Sequence, residues 1–510
     1  MLFIGTAVPG FHSRNAILGS GCSGHQSSCA NHRDNHPDCQ GYHFNTSGYL
    51  LMNKAEKYSL VEGGIVNKLF FVALPIMGTQ IIQMAYNLTD MFWLGRLSSD
   101  AVAASGTVGL FLWLSMAFTM FGRMGAEIGV SQNFGRGDKE KALTFARNAI
   151  VIGVAVGAVL AVIFILCRGL FIGFFGIKEA HVAQDAKDYL AIVSIGFPFV
   201  FFTAAVTGIF NGSGNSRVSL IINGVGLIIN MSLDPLMIFT FDMGIKGAAY
   251  ATALAQVSTS VVAGIALIKF KSRPFERVKM SLHLDRAIVK QILKWVLPIF
   301  TESFLFTFLT MITSSFVASY SSVAMAASRV GSQIESLAWL ITVGFASALT
   351  AFVGQNFGAG KWSRIRSGFK ISSLMMAMWG IITGLIFFFF GRTLFSIFIP
   401  NDPSVVNIGA EYLRILALCQ IPGCLEGVAS GSFKGRGKTL PPSIASASSN
   451  TTRVILAYIL SNFTPLGLTG IWIAITISAA LRGSWIFIWY LIDSRKTPKT
   501  DETILQSVFF

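Results

Sequence analysis

Two sets of polar side chains occur at helical spacing inside stretches that are otherwise apolar. Residues 81–97 have the sequence IIQMAYNLTDMFWLGRL, which places the carboxylate of Asp90 among residues typical of a membrane span. Spacings of three, four and three residues put one set on a single helical face: Gln80, Gln83, Asn87 and Asp90. The other set also shares a face: Asn223, Asn230 and Asp234. Acids inside a membrane are costly and mark ion or proton paths, so we predict this role for Asp90 and Asp234.

The amide side chains in these sets have a second interpretation. Asn and Gln residues inside membranes often join neighbouring helices through hydrogen bonds, and both interpretations stay open for Gln80, Asn87, Asn223 and Asn230. The helix-joining role suits Asp90 and Asp234 less well, because an uncharged amide would make similar hydrogen bonds at a smaller desolvation cost.

The composition indicates that these stretches belong to an integral membrane protein. Of the 510 residues, 53% are hydrophobic and only 12% are charged, and the mean hydropathy is +0.62. Soluble domains have about 25% charged residues. Twelve apolar runs occur between residues 67 and 492, each long enough to cross a bilayer as a helix. We therefore predict an all-α membrane protein with twelve transmembrane helices.

The basic residues predict the orientation of these helices. They are concentrated in the even-numbered loops and in the carboxyl-terminal tail, and loops rich in Lys and Arg stay in the cytoplasm. Both termini are therefore predicted to be cytoplasmic, in a multi-pass protein of the plasma (inner) membrane. The net charge of +15 follows from these loops and predicts contact with anionic lipid of the bilayer, without a nucleic-acid partner. Two clear clusters are Arg136, Lys139, Lys141 and Arg147, and Lys361, Arg364 and Arg366.

The chain contains an internal repeat. LPIMGTQ at Leu74 returns as LPIFTES at Leu297, and SQNFGRG at Ser131 returns as GQNFGAG at Gly354, both 223 residues later. Each copy holds six predicted helices, and because six is even, both copies enter the membrane in the same sense. We predict a parallel repeat of two six-helix lobes with a cleft between them. Only the first lobe keeps the acids. The positions equivalent to Asp90, Asn230 and Asp234 are Thr313, Arg453 and Ala457.

The remaining segments are assigned around these lobes. The N-terminal lobe is predicted to span residues 61–270 and the C-terminal lobe residues 291–493. A cytoplasmic linker is predicted at residues 271–290 and a cytoplasmic tail at residues 494–510.

Residues 1–60 are predicted to form a disordered extension, because they are rich in Gly, Ser and Asn and have no periodic apolar pattern. Four of their side chains have a loosely ligand-like spacing for a metal ion: Cys29, His32, His36 and Cys39. The missing apolar pattern speaks against a structural metal site, and we predict none.

The two QNFGxG motifs are predicted to end helices at cytoplasmic loops, where Gly135 and Gly358 would adopt the left-handed conformation that closes a helix C-terminus. Two GxG pairs further along, Gly212/Gly214 and Gly435/Gly437, are predicted to form turns between helices. A phosphate-binding loop would need a preceding β-strand, whereas a predicted transmembrane helix precedes each of these motifs. Nucleotide-driven transport is therefore not supported.

Together these motifs resemble the multidrug and toxic compound extrusion (MATE) family, most nearly its prokaryotic branch similar to DNA-damage-inducible protein F. The resemblance covers residues 60–493 and rests on LPIMGTQIIQMAYNLTDMFWLGRL, the duplicated QNFGxG, GIFNGSGNSR, and NMSLDPLMIF followed by GIKGAAYATALAQ. It implies the MATE fold, in which two six-helix lobes form a V. It also implies export of organic, often cationic compounds in exchange for protons or sodium.

The resemblance further implies roles for individual residues. The coupling-ion site of that branch lies in the N-terminal lobe, and the matching residues, which would bind a proton or sodium, are Asp90, Asn230, Asp234 and Thr252. Gln83 matches a position that faces the substrate cavity, and Asn87 lies on the same helical face. Pro75 matches a helix hinge, because proline lacks the amide hydrogen that would stiffen the helix.

Acids of the second lobe have two interpretations, which both stay open: Glu302, Glu335 and Glu426. The sodium-coupled branch of the family uses acids on its seventh and tenth helices, which would place Glu302 and Glu426 in a cation- or substrate-binding cavity. The alternative is a set of salt bridges, at helix ends or between the lobes, with partners such as Arg329 or Arg453.

The sequence therefore predicts a secondary active multidrug efflux transporter with alternating access of two lobes. Protonation of Asp90 and Asp234, or sodium bound between them, would remove their charge penalty and favour a different packing of the first lobe. The chain is predicted to act as a monomer on small organic cations or amphipathic drugs, without a cofactor, and not to be an enzyme. The alternative is a lipid-linked oligosaccharide flippase of the same superfamily, which should line its cleft with basic residues.

Overall fold

The computed structural model describes residues 58–177, 179–270, 273–275, 284–400, 402–498 and 501. In chain order the α-helices are α1 (Ile65–Leu97), α2 (Ser99–Arg136), α3 (Lys139–Leu166), α4 (Arg168–Gly173), α5 (Ala180–Ile195), α6 (Phe197–Gly212), α7 (Ser216–Pro235), α8 (Gly244–Lys269), α9 (Arg286–Ala318), α10 (Ser322–Gly358), α11 (Trp362–Phe398), α12 (Pro403–Ala417), α13 (Gln420–Gly435), α14 (Leu440–Asn462) and α15 (Gly467–Arg495). A π-helical turn, Leu236–Thr240, follows α7. The metal interpretation of Cys29, His32, His36 and Cys39 lies outside the described residues.

The all-helical membrane fold is confirmed. In the part of the chain that the structure describes, nine helices are long and apolar enough to cross a membrane. Two pairs meet the same criterion together but are bent, by 46° between α5 and α6 and by 53° between α12 and α13. Counting each pair as one span gives eleven. The remaining predicted span is α14, which is 23 residues long but rich in Ser, Thr and Asn and contains Arg453.

The two bends have a local cause in the sequence. The α5 helix ends at Ile195, and Pro198 lies in the first turn of α6. At the second bend α12 ends at Ala417, and Pro422 lies in the first turn of α13. Proline has no amide hydrogen, is favoured in a first helical turn and kinks or breaks a helix further along, so one straight helix is disfavoured at both places. The internal repeat therefore also relates the two positions at which the helices break.

The two lobes approach closely at the end of the bundle that carries the basic loops, which we call the basic end. A Cβ atom on Gly135 of α2 would lie 1.8 Å from the backbone oxygen of Gln355. In the other lobe, a Cβ atom on Gly358 of α10 would lie 1.9 Å from the backbone oxygen of Gln132. Both distances are far below van der Waals contact, so only glycine permits this crossing.

The prediction that Gly135 and Gly358 adopt the left-handed conformation is therefore wrong. Both lie within helices. The left-handed glycines come two positions later, at Gly137 with φ 79° and Gly360 with φ 70°. The motif does end a helix, but its first glycine serves the contact between the lobes.

Reciprocal hydrogen bonds join the lobes at the same crossing. The Gln132 side chain donates from Nε2 to the Gly435 backbone oxygen at 2.9 Å, and the Gln355 side chain donates from Nε2 to the Gly212 oxygen at 3.0 Å. Both glutamines are buried, and the 223-residue repeat relates one bond to the other. We call these four residues, Gln132, Gly212, Gln355 and Gly435, the interlobe clasp.

Further contacts between the lobes extend from the basic end toward the middle of the bundle. Phe70 packs on Phe345 with ring centroids 5.3 Å apart. The Ser347 hydroxyl of α10 donates to Glu127 Oε1 of α2 at 2.8 Å, and the Glu127 side chain is fully buried. The two lobes are thus joined through both apolar and polar contacts.

The residues just before α1 also contact the clasp. The Leu60 amide donates to Gln355 Oε1 at 2.9 Å, and its carbonyl accepts from Asn356 Nδ2 at 3.2 Å and from the Arg364 guanidinium. Leu60 is fully buried in an apolar cluster that includes α1 and α10 residues. Leu60, which the prediction placed in the disordered extension, is therefore part of the folded body.

Leu60→Ala is expected to lower the thermal stability of the purified protein, because truncating a buried leucine costs about 2–5 kcal/mol. Leu74→Ala is the matched control, since Leu74 is 58% exposed on α1. Thermal unfolding in detergent should show a clear fall in Tm for Leu60→Ala and little change for Leu74→Ala. Equal Tm values for the two variants would contradict the assigned packing.

Candidate functional site

The acids predicted from the sequence meet in one cluster of the first lobe. Asp90 on α1 faces Asp234 and Asn230 on α7 and Thr252 on α8. Asn230 and Asp234 are fully buried and Thr252 is 4% exposed. The structure therefore brings together all four residues that the resemblance assigned to ion coupling.

The end of α7 positions Asp234. Asp234 immediately precedes Pro235, and the helix then widens into the π-helical turn Leu236–Thr240. π-helical turns are rare in proteins, but those that occur are often found at functional sites. One helical turn earlier, Asn230 donates from Nδ2 to Asp234 Oδ1 at 3.2 Å. This bond fixes the amide so that its oxygen, Oδ1, is free to bind another group.

Five buried side-chain oxygens of this cluster lie close to one another but lack a hydrogen bond of good geometry among the described residues. They are Asp90 Oδ1, Asn230 Oδ1, Asp234 Oδ2, Thr252 Oγ1 and the Tyr86 hydroxyl. The carboxylate and amide oxygens can only accept hydrogen bonds, and leaving such atoms buried and unpaired is costly. Protons on the carboxyl groups, or a small cation between them, would satisfy the acceptors among these oxygens.

The chemistry of these oxygens limits the cation that would fit. Carboxylate, amide and hydroxyl oxygens suit hard cations better than soft ones. Among the described residues no group of three or more His, Cys, Asp or Glu side chains could hold a metal ion. Protons or a small hard cation are the species that these oxygens could bind.

Two tyrosines border the site, and the sequence analysis missed both. Tyr86 on α1 and Tyr189 on α5 both face Thr252, Asp90 and Asp234. Tyr86 lies four residues before Asp90, on the same helical face. That spacing could have indicated it, but tyrosines in apolar segments are ordinary core residues and carry no signal of their own.

The structure places the other predicted residues of α1 outside this cluster. Gln83 and Asn87 are exposed, so both are available to a ligand. Pro75 is buried within α1, and its carbonyl accepts a hydrogen bond from Thr79 Oγ1 at 3.0 Å. Because Pro75 cannot donate its own amide hydrogen bond, the helix lacks one backbone constraint at this point.

All three acids of the second lobe have partners that the sequence did not indicate. Glu426 accepts from Arg482 Nε at 2.8 Å in a salt bridge, so neither Arg329 nor Arg453 is its ion-pair partner. Glu302 accepts from the Ser443 hydroxyl at 3.0 Å.

Glu335 lies within the second lobe. Its Oε1 accepts from Trp339 Nε1 at 3.1 Å, and its Oε2 accepts from the Tyr412 hydroxyl at 3.4 Å. Both carboxylate oxygens are therefore partnered by neutral donors.

Comparisons with known proteins match both halves of the chain. The MatE family profile matches residues 75–236 and again residues 298–459. The two matches are displaced by 223 residues, the offset of the internal repeat.

Relatives span nearly the full length of the chain. The probable multidrug resistance protein NorM of Thermotoga maritima is 27% identical over 448 residues, which are 87% of this chain and 95% of that protein. The multidrug export protein MepA of Staphylococcus aureus is 22% identical over 460 residues, which are 89% of this chain and 100% of that protein.

A solved structure shares the fold. It is described as an outward-facing conformation of a multidrug resistance MATE family transporter of the MOP superfamily. It matches with a TM-score of 0.81 at 22% identity and covers 86% of this chain and 98% of that chain.

Proposed function

The chain belongs to the MatE family, and from this premise we propose that it exports organic, often cationic compounds by antiport with protons or sodium. It is a multidrug transporter by family and not an enzyme. The observation that carries the antiport proposal is the set of five buried, unpartnered oxygens around Asp90 and Asp234. Binding of the coupling ion gives these atoms a partner. Its release leaves them buried without one, which raises the free energy of the packed cluster.

Ion occupancy changes the free energy of the first lobe. Without a bound cation, two carboxylates lie side by side in a site of low polarity, where their repulsion and desolvation favour separation. Protons or sodium remove that repulsion and favour the packed cluster. Substrate release is thereby coupled to ion entry, because the two packings of the lobe present the cavity differently.

The membrane potential supplies enough energy for this exchange. Each proton that enters contributes about 2.3 kcal/mol per 100 mV. Two protons would support roughly a few-thousand-fold gradient of a neutral substrate, at about 1.4 kcal/mol per tenfold.

We propose that substrates bind between the lobes. Gln83, Asn87 and Glu302 supply polar contacts there, and Pro75 lets α1 bend when the cavity changes shape. Glu426 contributes less directly, because Arg482 already neutralises it. A lipid-linked oligosaccharide flippase would need basic residues along this cleft, whereas Asp90, Gln83 and Asn87 give the first lobe acidic and amide groups.

The location follows from the same reasoning. We propose a monomer in the plasma membrane with its basic end toward the cytoplasm, because basic loops stay on that side. Both termini would then be cytoplasmic, and the interlobe clasp would close the cytoplasmic side in the conformation described here.

The proposal is tested by efflux of a fluorescent organic cation from proteoliposomes, with a pH gradient and a sodium gradient imposed separately. We expect one gradient to drive uphill transport and the other to have no effect. The Asp234→Asn variant, reconstituted to the same density, should respond to neither gradient. Equal transport with both gradients collapsed would contradict antiport.

A further inference from the structure

The second lobe has an arginine where the first lobe has part of its ion site. The repeat takes Asn230 to Arg453 and Tyr189 to Tyr412. Arg453 is 8% exposed. Its Nε donates to the Ser478 hydroxyl at 3.1 Å, and its guanidinium lies over the Phe306 ring, 5.9 Å from the centroid. A permanently charged side chain thus lies deep within the lobe.

Two acids and a second arginine are the charged neighbours of this arginine. The charged groups that interact with Arg453 are Glu335, Glu426 and Arg482. Glu426 forms the salt bridge with Arg482, and Arg482 Nη1 also donates to Asn450 Oδ1 at 3.4 Å. Two guanidinium groups therefore face two carboxylates, and the formal charges cancel.

The two lobes differ in how their buried oxygens are satisfied. Five oxygens of the first-lobe cluster are buried without a partner. In the described part of the second lobe, no oxygen of Glu335, Glu426 or Asn450 is buried without one. Asp90 and Asp234 have no ion-pair partner among the described residues, whereas Glu426 is paired with Arg482 and Glu335 interacts with Arg453.

We propose that Arg453 is a tethered cation that permanently fills the second lobe's counterpart of the ion site. The proposal rests on the function proposed above and sets its stoichiometry: ions exchange only at the first lobe. Arginine does not lose its proton in proteins and cannot leave its site, so the second lobe stays in the ion-loaded packing throughout transport. The shape change driven by ions is then confined to the first lobe.

The test counts ions bound per chain. Purified full-length protein in lipid nanodiscs is titrated with sodium chloride against choline chloride, and proton uptake is measured separately. Asp234→Asn should abolish the binding shown by the native chain. Arg453→Asn should add a binding event that persists in the Arg453→Asn/Asp234→Asn double variant, because Glu335 and Glu426 then lack a full complement of positive charge.

Two variants separate this effect from a general loss of charge. Arg453→Lys keeps the tethered charge and should bind as many ions as the native chain. Arg329→Asn removes an exposed arginine of α10 and should also leave ion binding unchanged. A folded Arg453→Asn protein that binds no additional ion would overturn the proposal.

If Arg453→Asn does not fold, a reciprocal variant of the first lobe tests the proposal. Asn230→Arg introduces a tethered cation into the first lobe. We expect its Tm without added ions to match that of the ion-saturated native protein, with no further rise when ions are added. A Tm below that of the ion-free native protein would overturn the proposal. A different result would contradict the function proposed above: a native chain that binds no ion, or that binds ions which Asp234→Asn does not remove.

Discussion

Efflux by the Asp90→Asn variant is expected to fall to the rate of passive leak, while the protein still inserts and folds. The amide keeps the size of the side chain but can neither take up a proton nor offer an anionic ligand to sodium. Because Asp90 and Asp234 hold the coupling ion together, loss of one carboxyl group removes the coupling of both. The roughly few-thousand-fold substrate gradient that two protons would support at about 100 mV is then lost.

The repeat supplies a matched control for this variant. Thr313 occupies the equivalent position in the second lobe, is 4% exposed, and donates its hydroxyl to the Leu309 carbonyl at 3.0 Å. Thr313→Asn introduces the same amide into an equivalent buried position and should retain efflux within about twofold of the native protein. Both variants should elute as single species in size-exclusion chromatography. Wild-type efflux by Asp90→Asn would remove Asp90 from the coupling site.

Much of the fold was predictable because its signals are local or repeated. Apolar runs predict the helices, and the 223-residue offset predicts two lobes, which the two MatE matches confirm. The bends were not predicted. Pro198 and Pro422 lie inside apolar runs, and hydropathy averages over the break that a proline introduces.

The ion-site residues were predictable for a different reason. An acid inside an apolar helix is conspicuous, and Asp90 and Asp234 each stand out from their surroundings. Tyr86 and Tyr189 do not stand out, because tyrosine rings also pack in apolar cores. The partner of Glu426 was missed because Arg482 lies 56 residues further on, on another helix, and sequence spacing gives no measure of that distance.

The two lobes are symmetric in how they join but asymmetric in charge. The clasp uses the same residue types from each copy, and its two bonds differ in length by only 0.1 Å, at 2.9 and 3.0 Å. The acids differ: Asp90 and Asp234 have unpartnered oxygens in the first lobe, whereas in the second lobe Glu426 pairs with Arg482 and Glu335 accepts from Trp339 and Tyr412. We infer that the clasp closes the basic end through equal contributions of both lobes, while the free energy that drives the change enters through the first lobe.

Gly358→Ala is expected to open the clasp. The added Cβ would lie 1.9 Å from the Gln132 backbone oxygen, and a backbone atom cannot avoid it by a rotamer change. Overpacking typically costs about 1–3 kcal/mol, and loss of the clasp hydrogen bonds adds about 1 kcal/mol each. With both clasp bonds lost, the population closed at the basic end should fall by roughly 100-fold to a few thousand-fold. Spin labels at the exposed positions Glu140 and Lys370, one on each lobe, should report longer distances.

Two further variants show whether the clash between the two backbones is what opens the basic end. Gly135→Ala makes the reciprocal clash, 1.8 Å from the Gln355 backbone oxygen, and should lengthen the same distances. Gly109→Ala on α2 meets no atom within 4 Å and should leave them unchanged, since alanine in an open helical position favours the helix slightly. Native distances in both clashing variants would show that the lobes tolerate a wider crossing while closed. The glycines of the two QNFGxG motifs would then have no role in bringing the lobes together.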